Sequence, residues 1–236
     1  MRQIGFSTGA LAYADFRLGL GMMQRKRLPA IELSALRQNE LLPLLDAIRT
    51  LDLSDFKYIS IHAPSQFDRK VEGALCDRLS NETWREWPII IHPDAVYDFS
   101  LWRDLGSAIC VENMDKRKPI GRSARELALI FRELPDATFC FDIGHARQYD
   151  STMTEAYLIL REFGARLRQV HVSEVNTSSR HAPLSYASML SFREVAHLIP
   201  SHVPLILETP VKEEDIATEI AKVSEALPLD KHTMVA

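Results

Sequence analysis

A chain of 236 residues with 46% hydrophobic and 25% charged residues can bury a substantial core, as one α/β barrel or as two small domains. Its net charge of −4 excludes a general polyanion binder, so nucleic acid is disfavoured as a partner. Three cysteines without a C-x-x-C exclude a disulfide framework and a zinc knuckle, and no apolar run approaches the ~20 residues of a membrane span.

In chain order, Met1-Arg2-Gln3 leads directly into a predicted strand, Ile4 to Ser7, with no signal-like segment, and a reducing cytoplasm is the expectation. Asp15 caps a short, irregular helix ending near Pro29. The second strand, Ala30 to Leu33, carries Glu32, read equally as a member of an inner ring and as an inward structural carboxylate. Leu41, Leu42, Leu44, Leu45 and Ile48 repeat at helical spacing and read as core. The third strand runs from Lys57 to His62 and stops at Ala63-Pro64. A helix near Lys70 to Leu79 and a fourth strand, Pro88 to His92, follow, with Trp84 and Trp87 read as helix-to-barrel packing.

The fifth strand is Ala108 to Glu112, and Ser123 with Glu126 forms a capping box for the next helix. Thr138 to Asp142 is a buried strand whose tip is overhung by His145, past Gly144. Asp142 also suits the cap of the following helix. Thr154 opens another helix, and Leu167 to His171 is the seventh strand. The Ser-rich stretch from Ser173 to Pro183, with Glu174, Arg180 and His181, reads as an unpatterned loop. Phe192 to Ile199 is predicted helical, Pro204 to Glu208 is the eighth strand, and Ile216, Ile220, Val223 and Leu227 mark the closing helix. His197, His202 and His232 receive no role, and Cys110 and Cys140 read as small core residues.

One pattern organises these elements. Six apolar runs end in a metal-type ligand: His62, His92, Glu112, Asp142, His171 and Glu208. Burying six such groups costs several kcal/mol each unless something compensates them, and a divalent cation does so. Eight strand–helix alternations predict a single (β/α)8 TIM barrel over residues 1–236, with every ligand at the C-terminal rim. An open doubly wound sheet fits less well, because no G-x-G-x-x-G follows the first strand and ligands from six strands converge only in a closed sheet.

The motifs His62-Ala63-Pro64, His92-Pro93, Glu112-Asn113, Asp142-Ile143-Gly144-His145, His171, Arg180-His181 and Glu208-Thr209-Pro210, in this order, resemble the xylose isomerase-like barrels. That family includes the endonuclease IV enzymes and the sugar epimerases. The resemblance implies a metal bound by Glu112, Asp142, His171 and Glu208, and a second bound by His62 and His92 with Glu112 bridging. A third endonuclease-type zinc would use His145 and His181, but Ser179 stands where that site has an aspartate. One or two ions per chain are thus expected, of zinc, manganese, cobalt or iron.

Two chemistries fit such metals. In an isomerase or epimerase of a small sugar-like substrate, Glu112 and Glu208 move protons beside a carbonyl, with His145 as a further catalytic candidate and Glu32, Glu174, Arg180 and His181 as substrate-binding candidates. Thr177 departs from the epimerase pattern, which has an arginine there. In an endonuclease IV-type hydrolase, a metal-activated water attacks a phosphodiester. The paired His62 and His92 favour hydrolysis. The acidic balance and short loops favour a small sugar, since Arg25-Lys26-Arg27 and Lys116-Arg117-Lys118 are the only basic runs. A non-catalytic metal-binding module is the third reading, and a homo-oligomer is compatible with all three.

Overall fold

The computed structural model describes residues 2–80 and 86–229. Trp84 and His232 lie outside the described residues. The strands are β1 (Ile4–Ser7), β2 (Ala30–Ser34), β3 (Tyr58–His62), β4 (Ile89–Ile91), β5 (Ile109–Glu112), β6 (Thr138–Asp142), β7 (Leu167–Val172), β8 (Glu174–Val175), β9 (His181–Ala182) and β10 (Leu205–Leu207). Eight of them close a parallel barrel in the order β1-β10-β7-β6-β5-β4-β3-β2. The helices are α1 (Thr8–Ala12), α2 (Phe16–Arg25), α3 (Gln38–Ile48), α4 (Glu72–Ser80), α5 (Phe99–Arg103), α6 (Ala124–Glu133), α7 (Ile143–Tyr149), α8 (Thr154–Phe163), α9 (Tyr186–Arg193) and α10 (Ile216–Ala226). The fold is a (β/α)8 TIM barrel, as the alternation predicts.

The period-two geometry of a strand explains why the barrel has two cores. Ile89, Ile91, Ile109, Val111, Phe139 and Phe141 face outward and join the large cluster under the helices. Ile90, Cys110 and Cys140, between them in sequence, form a separate cluster inside the barrel. Two residues further on, the same inward face carries His92, Glu112 and Asp142, so the ligand ring is stacked one layer above two buried free thiols. The leucine stripe of α3 is core, with Leu41, Leu44, Leu45 and Ile48 buried, and Trp87 packs partly buried against the same cluster.

Several expectations are corrected. Thr8–Ala12, which received no reading from the sequence, is a helical turn, held where the Thr8 hydroxyl accepts the Ser34 amide at 2.8 Å. The stretch after β7 is a two-stranded hairpin, β8 with β9, in place of an unpatterned loop. Its tip is shaped by the Asn176 Oδ1, which accepts the amides of Ser178 at 2.8 Å and Arg180 at 3.1 Å. The helix placed at Phe192 to Ile199 begins earlier, at Tyr186, because Ser185 caps it through the Ser188 amide at 3.2 Å; only a 3-10 turn, Ala196–Leu198, follows. Among the described residues no helix is long and apolar enough to cross a membrane.

Candidate metal centre

The C-terminal ends of β3 to β7 and β10 bring together the six residues read from the sequence as candidate ligands. Glu112 is the hub and is fully buried. Its Oε2 faces His62 Nε2 at 3.4 Å and His92 Nε2 at 3.3 Å. Its Oε1 faces His145 Nδ1 at 3.3 Å and His171 Nδ1 at 3.4 Å. His171 Nδ1 also lies 3.5 Å from Glu208 Oε2. Ligand atoms of Glu112, Asp142, His171 and Glu208 lie within 4.8 Å of one another, as do those of His62, His92 and Glu112, and those of Glu112, Cys140 and His171.

The chemistry of this cluster fits a divalent ion. Both Glu112 oxygens, Asp142 Oδ2 and His171 Nδ1 are buried without a hydrogen-bond partner. An unpaired buried polar atom costs about 1–3 kcal/mol, more for a charge, so four converging ones describe a cradle that a cation would satisfy. Histidine and carboxylate donors suit zinc, manganese, cobalt or iron.

Neighbours aim the ligands. Asp142 is both strand tip and helix cap: Oδ1 accepts the His145 amide at 2.7 Å to start α7, which turns Oδ2 toward the ring. Asn113 clamps the Asp142 backbone, its Nδ2 donating to Asp142 O and its Oδ1 accepting Asp142 N, both at 2.8 Å. His62 Nδ1 donates to the Ala63 carbonyl at 2.8 Å, which leaves Nε2 free for the ring. His145 Nδ1 lies 3.0 Å from the Asn113 carbonyl.

The electrostatics follow from burial and from the opposed charges. Burial opposes the ionisation of Glu112, but the neighbouring imidazoles, His171 first, outweigh it and hold its carboxyl well below the usual range. Burial, relieved by His145 but reinforced by Glu112 and Glu208, raises Asp142 to about 6. Burial would lower His62 and His145, yet Glu112 with Glu32 lifts His62 to about 9, and Asp142 with Glu112 lifts His145 to about 10. Burial and the positive His145 push His181 down to about 4.

The remaining candidates are placed as follows. His181 stands at the mouth, its ring centroid 5.5 Å from that of His145, its Nδ1 2.7 Å from Ser173 Oγ and 3.7 Å from Glu208 Oε2. Among the described residues, neither His145 nor His181 belongs to a group that could hold an ion. Ser179, at the departed third-zinc position, donates to Asp115 Oδ1 at 2.6 Å, and Asp115 is a buried rim carboxylate that the sequence reasoning missed. Glu32 lies inside the barrel beneath the ring, fully buried, with Oε2 2.9 Å from His171 Nε2. Glu174 turns away, accepting Ser185 N at 2.8 Å and facing Arg147 at 3.7 Å at the start of α9. Arg180 is exposed on the hairpin. The helix approach holding Lys118 is tied to the rim by an ion pair with Asp94 at 2.8 Å.

No protein-family model matches the chain, and no curated protein matches it by sequence. Solved structures do match. Endonuclease IV from Thermus thermophilus superposes with a TM-score of 0.61 at 18% identity, covering 95% of this chain and 98% of that one. SacUVDE gives 0.59 at 16% identity, covering 96% and 99%. The 3-keto-D-glucoside 4-epimerase of E. coli gives 0.55 at 11% identity, also over 96% and 99%. The fold shared with these structures is the (β/α)8 barrel. An endonuclease and an epimerase share it, so the scaffold is common to both chemistries and the site itself has to discriminate between them. In this (β/α)8 barrel the ring occupies the C-terminal mouth, where catalytic groups of such proteins gather.

Proposed function

We propose that the chain is a divalent-metal-dependent isomerase of a small, sugar-like substrate, with Glu208 as the group that moves the proton. One observation carries this reading: Glu208 is the open carboxylate of its four-ligand group. Its side chain is 13% exposed, against 1% for Glu112 and 0% for Asp142 and His171. A base must reach its proton within hydrogen-bond distance, and within that group Glu208 is the carboxylate open to solvent.

A divalent ion held by Glu112, Asp142, His171 and Glu208 would supply a Lewis acid that acidifies a C–H beside a carbonyl. Glu208 takes that proton and returns it to the adjacent carbon on the same face, the outcome of an aldose–ketose isomerisation. Epimerisation needs a base on each face of one carbon, and the sealed Glu112 is poorly placed to be the second. His181, kept neutral at ordinary pH, lies 3.7 Å from Glu208 and can relay protons between substrate oxygens. The acidic net charge and the absence of a long basic loop among the described residues support a small neutral polyol over a nucleic acid.

A second reading has its own observation. Glu112 directs Oε2 at His62 and His92 and Oε1 at His171, the arrangement of a carboxylate bridging two ions, and paired ions suit phosphoester hydrolysis. The metal-loaded protein is therefore incubated in D2O with aldoses, ketoses and sugar phosphates, and separately with an abasic duplex. Deuterium at a substrate carbon, lost in Glu208→Gln, supports isomerisation. Phosphodiester cleavage that survives Glu208→Gln, with no deuterium in any sugar, refutes it.

A further inference from the structure

We infer that Glu32, sealed beneath the ring, is a positioning residue that fixes which ring nitrogen His171 presents to a divalent ion. The inference rests on the metal-centre reading above and adds a residue that touches neither ion nor substrate.

Three atoms make a closed triangle below the ring. Glu32 Oε2 is 2.9 Å from His171 Nε2 and 2.8 Å from Gln169 Nε2, and Gln169 Nε2 is 2.8 Å from His171 Nε2. Ser60 Oγ adds a weaker donor to the same Glu32 oxygen at 3.3 Å. An ionised carboxylate only accepts, so the 2.9 Å contact requires a hydrogen on His171 Nε2. With that hydrogen in place, the Gln169 amide cannot donate to the same nitrogen. Its two hydrogens go to Glu32 and to Cys140 Sγ at 3.5 Å. Glu32, which only accepts, sets which end of the amide faces it, and the Tyr58 hydroxyl donates to the other end, Gln169 Oε1, at 2.7 Å.

The consequence lies on the other side of the ring. An imidazole that binds an ion is neutral and keeps one N–H, so a hydrogen held on Nε2 gives up the Nδ1 lone pair to the ion. Nδ1 is the buried, unpartnered atom that faces Glu112 at 3.4 Å and Glu208 at 3.5 Å. Without Glu32, the Gln169 amide at 2.8 Å becomes a donor to Nε2, and the imidazole hydrogen moves to Nδ1, where two carboxylates attract it. The ligand atom is then blocked. Carboxylate-to-histidine-to-metal chains of this kind change metal affinity about 10–100-fold. The arrangement costs stability, because Glu32 Oε1 is buried with no partner, so packing does not account for the charge.

The test compares wild type, Glu32→Ala and the isosteric Glu32→Gln, whose carbonyl can still accept the Nε2 hydrogen. Zinc affinity is read by competition with a chromophoric chelator. The position of the His171 hydrogen is read by proton–nitrogen NMR of the ring, with and without zinc. Glu32→Ala is expected to bind zinc ~10–100-fold more weakly and to lose a slowly exchanging Nε2–H, while Glu32→Gln retains that N–H and most of the affinity. The inference is overturned if the wild-type hydrogen sits on Nδ1 alone, or if Glu32→Ala binds zinc as tightly as wild type. It is also overturned if Glu32→Gln loses the Nε2–H, the outcome that decides if Glu32→Ala fails to fold. A wild-type protein that takes up no zinc yet holds the Nε2–H through Glu32 refutes the metal reading and leaves the hydrogen placement standing.

Discussion

Replacing Glu112 by Gln removes the group shared by all three candidate metal clusters while keeping its shape. The bridging geometry predicts that this one change abolishes metal-induced stabilisation. A ligand that binds only the folded state adds about 2.7 kcal/mol at a free concentration 100 times its Kd. For a chain of this length each kcal/mol moves Tm by about 2–4 °C, so each ion is worth roughly 5–11 °C. Glu112 offers one oxygen to His62 and His92 and the other to His171, so Glu112→Gln should lose the increment of both ions. Asp142→Asn, which belongs to one group, should lose one increment. The assay is calorimetric unfolding with chelator and with saturating zinc or manganese. A Glu112→Gln protein that gains the full wild-type increment refutes the bridging role.

Three further outcomes follow from the geometry. His62→Ala with His92→Ala should remove one metal equivalent, counted by elemental analysis, and leave the Asp142 site filled; an unchanged count contradicts the second ion. Asn113→Ala deletes two buried hydrogen bonds to the Asp142 backbone and should cost about 2 kcal/mol in denaturant unfolding while weakening metal binding; a neutral effect on both removes the clamp from the account. In the metal-free protein His62 and His145 are raised from 6.5 to about 9 and about 10, so their contribution is full below pH 6.5 and is lost as pH rises through 9 and 10. Metal-free Tm should therefore fall between neutral pH and pH 10, and a flat or rising profile contradicts the buried imidazole cluster.

The barrel was legible because six of its eight wall strands are short apolar runs that stop at a candidate ligand. Cys110 before Glu112 and Cys140 before Asp142 already place thiol and carboxylate on one face. The ring was legible for the same reason. Glu32 was harder: β2 is buried along its whole length, so alternation does not tell a ring position from the layer below it. Glu174 and Arg180 were misdirected by a hairpin that the Ser-rich composition concealed, since its turn depends on one Asn176 side chain. Gln169 and Asp115 were missed outright. Gln169 carries a usable signal, because it precedes His171 by two residues on the same inward face, whereas nothing local predicts that Ser179 would donate to Asp115 across the mouth.

The central claim is that six strand ends build a divalent-metal centre, and metal uptake tests it most directly. Chelator-stripped protein is dialysed against zinc or manganese, counted by elemental analysis, and the ions are placed by anomalous diffraction. The expected result is about one or two ions per chain, the first between Glu112, Asp142, His171 and Glu208. A stripped protein that takes up no ion, or one whose ion lies away from Glu112, contradicts it.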